Sequence, residues 1–285
     1  MSRHLPVAPQ RLAMAGLKRL VFNPNVSFDK QRARLRIATQ ASGGAKSLQV
    51  IQVAGVRCEE YSPAVVTTDT MIVYVHGGGY CVGSPALGVP FITALSDALG
   101  AKAVLVDYRL APEAPAPAAV GDVSNVLQNL GANVVAVGDS AGAGALVAAL
   151  QGHRTLAAVL ISPWLDLSDD RLGRADLIER DPVLSPAWLE MCAAAYAGVD
   201  RTNPLVSPLL GDLTLPPTLV VGGRDDVLAP DATRLVEVLT RQGTDVQEFI
   251  IRDMWHDFAL SVGRLEAADV ALEVVVNFIK PMLRY

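Results

Sequence analysis

The chain has 285 residues, of which 51% are hydrophobic and 19% charged, with a formal net charge of -5 and three cysteines. That length is enough for one large α/β domain with a deep core, and a charged fraction below the ~25% of ordinary soluble domains favours a big interior with apolar surface left for a pocket, a lid or a dimer face. The composition excludes the basic footprint of a nucleic-acid binder, and no run of ~18 apolar residues offers a membrane span.

Residues 1–46 read as helical. Leu12, Gly16, Leu17, Leu20 and Val21 fall at helical spacing, with Arg11, Lys18 and Arg19 opposite, and Asn23-Pro24-Asn25 breaks the pattern. A basic face of this length reads as a solvated surface over a core stripe, not as a membrane anchor. Ser27 to Gln40 is a second predicted helix, closed by Ser42-Gly43-Gly44. Strands are expected at 48–53, 56–61, 71–75, 103–108, 134–137, 156–161, 217–221 and 246–251. Helices are expected at 91–99, 118–130, 143–150, 229–242 and 266–279. Apolar strands alternating with helices predict a largely parallel sheet wrapped on both faces. The connection from Asp166 to Pro208 is far longer than an ordinary loop and carries its own helix, 185–197. It reads as a lid, which the N-terminal helices would complete as a cap.

Ligands in open α/β sheets sit beyond the carboxyl ends of the strands. There the chain places His76-Gly77-Gly78-Gly79, Ser140, Asp225 with Asp226, and His256. Gly138-Asp139-Ser140-Ala141-Gly142 is a G-x-S-x-G turn between a strand and a helix, the context of a nucleophile elbow. A free serine hydroxyl is a weak nucleophile and needs a base. His256, in a loop after the last strand, is the candidate. His4 lies in the N-terminal segment, His153 at the far end of the elbow helix reads as surface, and His76 reads as a structural partner of its loop. A carboxylate at Asp225 or Asp226 would orient the imidazole, and spacing leaves the two open; the other would cap the following helix or be solvated. Three consecutive glycines free their N–H groups to face an oxyanion, and Ala141 N–H adds another donor. The cysteines Cys58, Cys81 and Cys192 are too scattered for a disulfide framework or a zinc site, and four histidines without H-E-x-x-H give no metal centre. No signal peptide pattern is visible, so the cytoplasm is the expected location.

Together these segments resemble a known family, the bacterial relatives of hormone-sensitive lipase among the α/β-hydrolases. The resemblance rests on His76-Gly-Gly-Gly-Tyr80, Tyr108-Arg-Leu-Ala-Pro-Glu113, Gly138-Asp-Ser-Ala-Gly142, and Asp226-Val-Leu228 with His256. Ser162-Pro-Trp-Leu-Asp-Leu167 and Asn203-Pro-Leu-Val-Ser-Pro208 also look like the family. It implies a mostly parallel eight-stranded α/β-hydrolase sheet with a helical cap. The divisions would be 1–46 and 166–208 for the cap, and 47–165 and 209–285 for the catalytic domain. It further implies a cofactor-free serine carboxylesterase acting on short- to medium-chain acyl esters, with Ser140, Asp226 and His256 as triad and Gly78, Gly79 and Ala141 as oxyanion hole. Tyr80, Trp188 and Trp255 are the expected pocket residues, and Trp255 is a large indole where a small residue is common. Partners would be a small ester substrate and a second copy of the chain in a homodimer. A non-catalytic small-molecule-binding protein on the same scaffold, or a hydrolase of amides or lactones, are the alternatives. A histidine of ordinary basicity would make activity fall as pH drops through ~6.5.

Overall fold

The computed structural model describes residues 4–41, 48–169 and 175–283, so the glycine stop expected at 42–44 lies outside the described residues. Among them the strands are β1 (Gln49–Val53), β2 (Val56–Tyr61), β3 (Met71–Val75), β4 (Ala103–Val106), β5 (Val134–Asp139), β6 (Ala157–Ile161), β7 (Thr218–Gly223) and β8 (Val246–Ile251). They form one sheet in the order β1-β2-β4-β3-β5-β6-β7-β8. β1 and β2 pair antiparallel, as do β2 and β4; every other pairing is parallel. β5, β6 and β7 are buried along their whole length, which is why they read as unbroken apolar runs and not as alternating ones. β8 is an edge strand and exposes Gln247 and Glu248. Ala54 and Gly55, at φ 49 and 82, form the two-residue turn joining β1 to β2, the left-handed geometry that suits strand twist.

The helices are α1 (Val7–Leu20), α2 (Phe28–Ala41), α3 (Val89–Leu99), α4 (Ala118–Leu130), α5 (Ser140–Leu150), α6 (Ala175–Arg180), α7 (Pro186–Ala197), α8 (Ala229–Arg241) and α9 (Glu266–Ile279). Every residue of α5 is buried, so it has no polar face to show. Its small residues let it sit directly on the sheet. A methyl group on Gly142 would lie 2.2 Å from the Val75 carbonyl oxygen and 2.3 Å from that of His76. α7 starts where Ser185 accepts a hydrogen bond from Trp188 N–H and Pro186 fills the first turn.

The 166–208 connection holds two helices, α6 as well as the expected α7. α6 is only six residues long and shows no buried face, so it gives little periodic signal. The N-terminal helices pack on this connection across more than 150 positions of sequence. Trp188 Nε1 donates to Gln31 Oε1 at 2.8 Å, the rings of Phe22 and Trp188 meet edge-on at 4.9 Å, and Lys18 Nζ donates to the Asp181 carbonyl at 2.8 Å. Gln31 is fully buried and its amide also reaches the carbonyls of Asn23 and Val26. The break between α1 and α2 is therefore tied to the same side chain that receives Trp188 of α7.

Candidate active site

Ser140 stands where β5 turns into α5, at φ 51. This left-handed conformation is strained for any residue with a Cβ, and such strain concentrates at functional sites. The turn is tolerated because its glycines leave room: a Cβ on Gly138 would lie 2.9 Å from Ala143 Cα, and Gly142 has none to spare. Ser140 Oγ lies 3.0 Å from His256 Nε2, in the loop after β8. On the other side of the ring, Nδ1 lies 3.1 and 3.0 Å from the two oxygens of Asp226, in the loop after β7. All three side chains are buried at the carboxyl ends of parallel strands. The tautomer whose Nδ1–H donates to the carboxylate leaves Nε2 to accept from the serine hydroxyl.

The two adjacent aspartates separate here. Asp226 turns to the imidazole and also accepts from Leu228 N–H at 2.8 Å. Asp225 neither caps a helix nor faces solvent. It is gripped by the guanidinium of Arg11 from α1 and, at 3.2 Å, by that of Arg180 from α6. It thus ties α1 and α6 to the loop after β7.

The glycine loop follows β3. Gly78 and Gly79 take φ 114 and 61, and their N–H groups have no hydrogen-bond partner among the described residues. Ala141 N–H belongs to the first turn of α5, where no carbonyl within the helix reaches it. Asp139, one residue before the nucleophile, braces this loop: it accepts from Gly77 N–H at 2.9 Å and from the Tyr74 hydroxyl at 2.5 Å. His76 is structural, as expected. Its Nδ1–H donates to the Gly77 carbonyl at 2.7 Å, its ring stacks on Tyr108 at 4.3 Å, and the Tyr108 hydroxyl donates to the His76 carbonyl. That contact explains why Tyr108-Arg-Leu-Ala-Pro-Glu113 accompanies the glycines: it is the floor beneath them. His153 is half-buried against Ser124 Oγ at 2.6 Å, not a free surface residue.

Burial alone pushes the His256 imidazole down, but Asp226 and Asp257 outweigh it and hold the ring well above the usual histidine range. That direction places the expected acid limb of activity above an ordinary histidine value. Two further carboxylates belong to this cluster and were not legible in the sequence. Asp257 Oδ2 lies 3.1 Å from His256 Nε2. Asp181, at the end of α6, accepts from Val183, Leu184 and Val227 N–H, and burial together with nearby Asp226 raises it to about 6. Asp257 had only its adjacency to His256 as a signal. Asp181 had none, being 45 residues from Asp226 in an insertion.

The three expected pocket residues are buried. Tyr80 stacks on Tyr196 at 3.8 Å, Trp188 binds Gln31, and Trp255 lies beneath the Arg11 guanidinium, 5.6 Å from the ring centre. A cleft of about 830 Å³ opens between α1 and α6, lined by Ala8, Leu12, Ala15 and Phe22 with Arg11, Lys18 and Arg180. Tyr80, Trp188 and Trp255 do not line it; through Phe22 and Arg11, the two indoles back onto it. Among the described residues no group of three or more His, Cys, Asp or Glu side chains is arranged to hold a metal, and no helix is long and apolar enough to cross a membrane.

A strained serine thus stands at a strand–helix turn of an α/β sheet, hydrogen-bonded in series to a histidine and a carboxylate, with unpaired glycine N–H groups in the loop after β3. Residues 72–260 match the family model described as alpha/beta hydrolase fold. The chain is 36% identical to an acetyl-hydrolase of Streptomyces hygroscopicus over 90% of its own length and 91% of the relative's. Its structure superposes, with a TM-score of 0.90, on a hormone-sensitive lipase from a metagenome library at 29% identity, covering 98% of this chain and 99% of that one. An esterase of the bacterial hormone-sensitive lipase family gives a TM-score of 0.87 at 27% identity, covering 96% and 98%. The chain belongs to the α/β-hydrolase family and, within it, to the bacterial hormone-sensitive-lipase-like esterases.

Proposed function

We propose that this carboxylic ester hydrolase works through Ser140, His256 and Asp226, with Gly78, Gly79 and Ala141 N–H as oxyanion donors. The observation that carries the assignment is the unbroken chain from Asp226 through His256 to Ser140 Oγ. Ser140 attacks the ester carbonyl while its proton passes to Nε2. The three N–H groups receive the oxyanion. Nε2–H then protonates the leaving alkoxide, and the same nitrogen activates water to release the acid. The free N–H pair and the poised histidine favour catalysis over a mere binding role on this scaffold.

The substrates we propose are short- to medium-chain acyl esters. Ser140 and His256 are 4% and 3% exposed beneath the α1–α2 and α6–α7 segments, so a small acyl group is the natural fit. On this reading residues 1–46 and 166–208 act together as a cap over a catalytic domain of 47–165 and 209–285. A series of p-nitrophenyl esters of rising acyl length tests this. Turnover should peak at the short end, and Ser140→Ala should lose at least about 10⁴-fold in kcat. Normal turnover by Ser140→Ala would refute the triad.

β8 is a free sheet edge next to α9, and we propose that two copies pair there, giving twice the monomer mass in light scattering. Cys58, Cys81 and Cys192 are all free thiols, which fits a reducing cytoplasm; cell fractionation tests that placement.

A further inference from the structure

One buried carboxylate at the centre has no place in the triad. Asp257 Oδ2 is 3.1 Å from His256 Nε2, the same nitrogen that faces Ser140 Oγ at 3.0 Å. The imidazole therefore stands between two carboxylates, Asp226 on Nδ1 and Asp257 on Nε2. The position is built with care. Asp257 takes φ 56, and its N–H donates to Ser162 Oγ at 3.0 Å, from a serine that is itself at φ 44. Its other oxygen, Oδ1, is buried without a backbone, lysine or arginine donor among the described residues, and the carboxyl group faces that of Asp139 beside the nucleophile.

These features cost free energy. A left-handed aspartate is strained, and a buried carboxylate oxygen without a donor is expensive. The carboxylate caps no helix, and its side-chain neighbours are both at the catalytic centre, His256 and Asp139. Its one cationic neighbour is the ring of His256. A neutral ring with its proton on Nδ1 shows Asp257 a bare lone pair. Only the imidazolium, with a proton on Nε2, turns this contact into a hydrogen bond.

We propose that Asp257 is a positioning residue for His256: it holds the Nε2–H of the imidazolium beside Ser140 and so sets the pH at which the enzyme becomes active. The inference rests on the triad reading above. As Ser140 Oγ bonds to the ester carbon, its proton moves to Nε2 and finds two acceptors, the departing alcohol oxygen and Asp257 Oδ2. Asp257 keeps no proton. The Nε2 proton leaves with the alcohol when the carbon–oxygen bond breaks. In the free enzyme the same contact favours the imidazolium, which cannot accept from serine. Asp257 therefore makes the base stronger and moves its deprotonation to higher pH. The other titratable groups facing this pair are Asp226, Asp181 from the cap, and Asp139 with its partner Tyr74. None is a cation; burial and these carboxylates raise Asp257 while His256 and the hydrogen bond with Asp139 favour its ionised form.

The test is the pH dependence of kcat/KM on a p-nitrophenyl ester for the wild type, Asp257→Asn and Asp257→Gly. Asparagine and glycine both tolerate the left-handed backbone, and glycine relieves the strain altogether, so the folded state is retained. The acid limb should move down by about one pH unit in both variants, with a lower plateau rate. A purely structural role would change the plateau or the melting temperature and leave the limb where it was. A limb that stays in place, or moves up, in both variants overturns the proposal. That outcome with Ser140-dependent hydrolysis intact refutes Asp257 alone. Activity that survives Ser140→Ala would instead refute the triad.

Discussion

A methyl group on Gly79 should separate the role of the glycine loop in catalysis from its role in folding. The backbone there has φ 61, and a Cβ would lie 2.7 Å from Cys192 Sγ and 2.8 Å from Trp188 Cη2, both side chains of buried residues in α7. The left-handed conformation costs an alanine about 1–2 kcal/mol, and the overpacking adds about 1–3 kcal/mol. The loop cannot yield on its other side, because the adjacent Gly78 already sits where a Cβ would be 2.1 Å from the Val82 carbonyl. The strain therefore turns Gly79 N–H away from Ser140. Losing one oxyanion donor lowers kcat by about 10²–10³ while KM changes little. Initial rates on p-nitrophenyl acetate and a thermal melt measure both effects in Gly79→Ala. Adding Cys192→Ala removes the sulfur contact and should restore part of the stability. A Gly79→Ala enzyme that melts early yet keeps kcat within about threefold would show that the loop supports the fold and does not bind the oxyanion.

Asp226→Asn should cost about 10⁴ in kcat by disturbing the imidazole tautomer, whereas Asp225→Asn should leave kcat within about tenfold and loosen the cap, since it weakens only the Arg11 and Arg180 contacts; steady-state kinetics on the pair decide which aspartate serves the histidine. The acid limb of the wild-type kcat profile should lie above ~6.5, because catalysis needs neutral His256 and its neighbouring carboxylates stabilise the protonated ring; a limb at or below that value contradicts the geometry. His76, fully buried, is pushed down to about 4, chiefly by burial. Its neutral form is the folded one, so stability is lost as pH falls from the unfolded-state value near 6.5 toward about 4. The loss reaches roughly 3 kcal/mol, and urea melts of the wild type and His76→Gln across that window should show the difference narrowing as pH drops.

Much of the fold was legible because its signals are local. β5, β6 and β7 are continuous apolar runs, and the helices between them are bounded by Gly100 and Gly131. α6 escaped notice because a six-residue exposed helix has no apolar period to read. Ser140 and its flanking glycines were legible for a steric reason that three or four residues contain in full.

The strand–turn–helix that carries Ser140 and the glycine loop after β3 were determined by the sequence, since backbone strain and turn chemistry need only neighbouring residues. Spacing left Asp225 and Asp226 open and only the family resemblance pointed to Asp226; the physical reason lies in the packed loop, which turns Asp226 to His256 and Asp225 to Arg11. Tertiary structure also gave Asp139 its brace on Gly77 and tied Arg11 and Arg180 to the acid loop. The raised basicity of His256 arises there too, because it is a sum over burial and carboxylates from separate loops, and no short stretch of chain contains that sum.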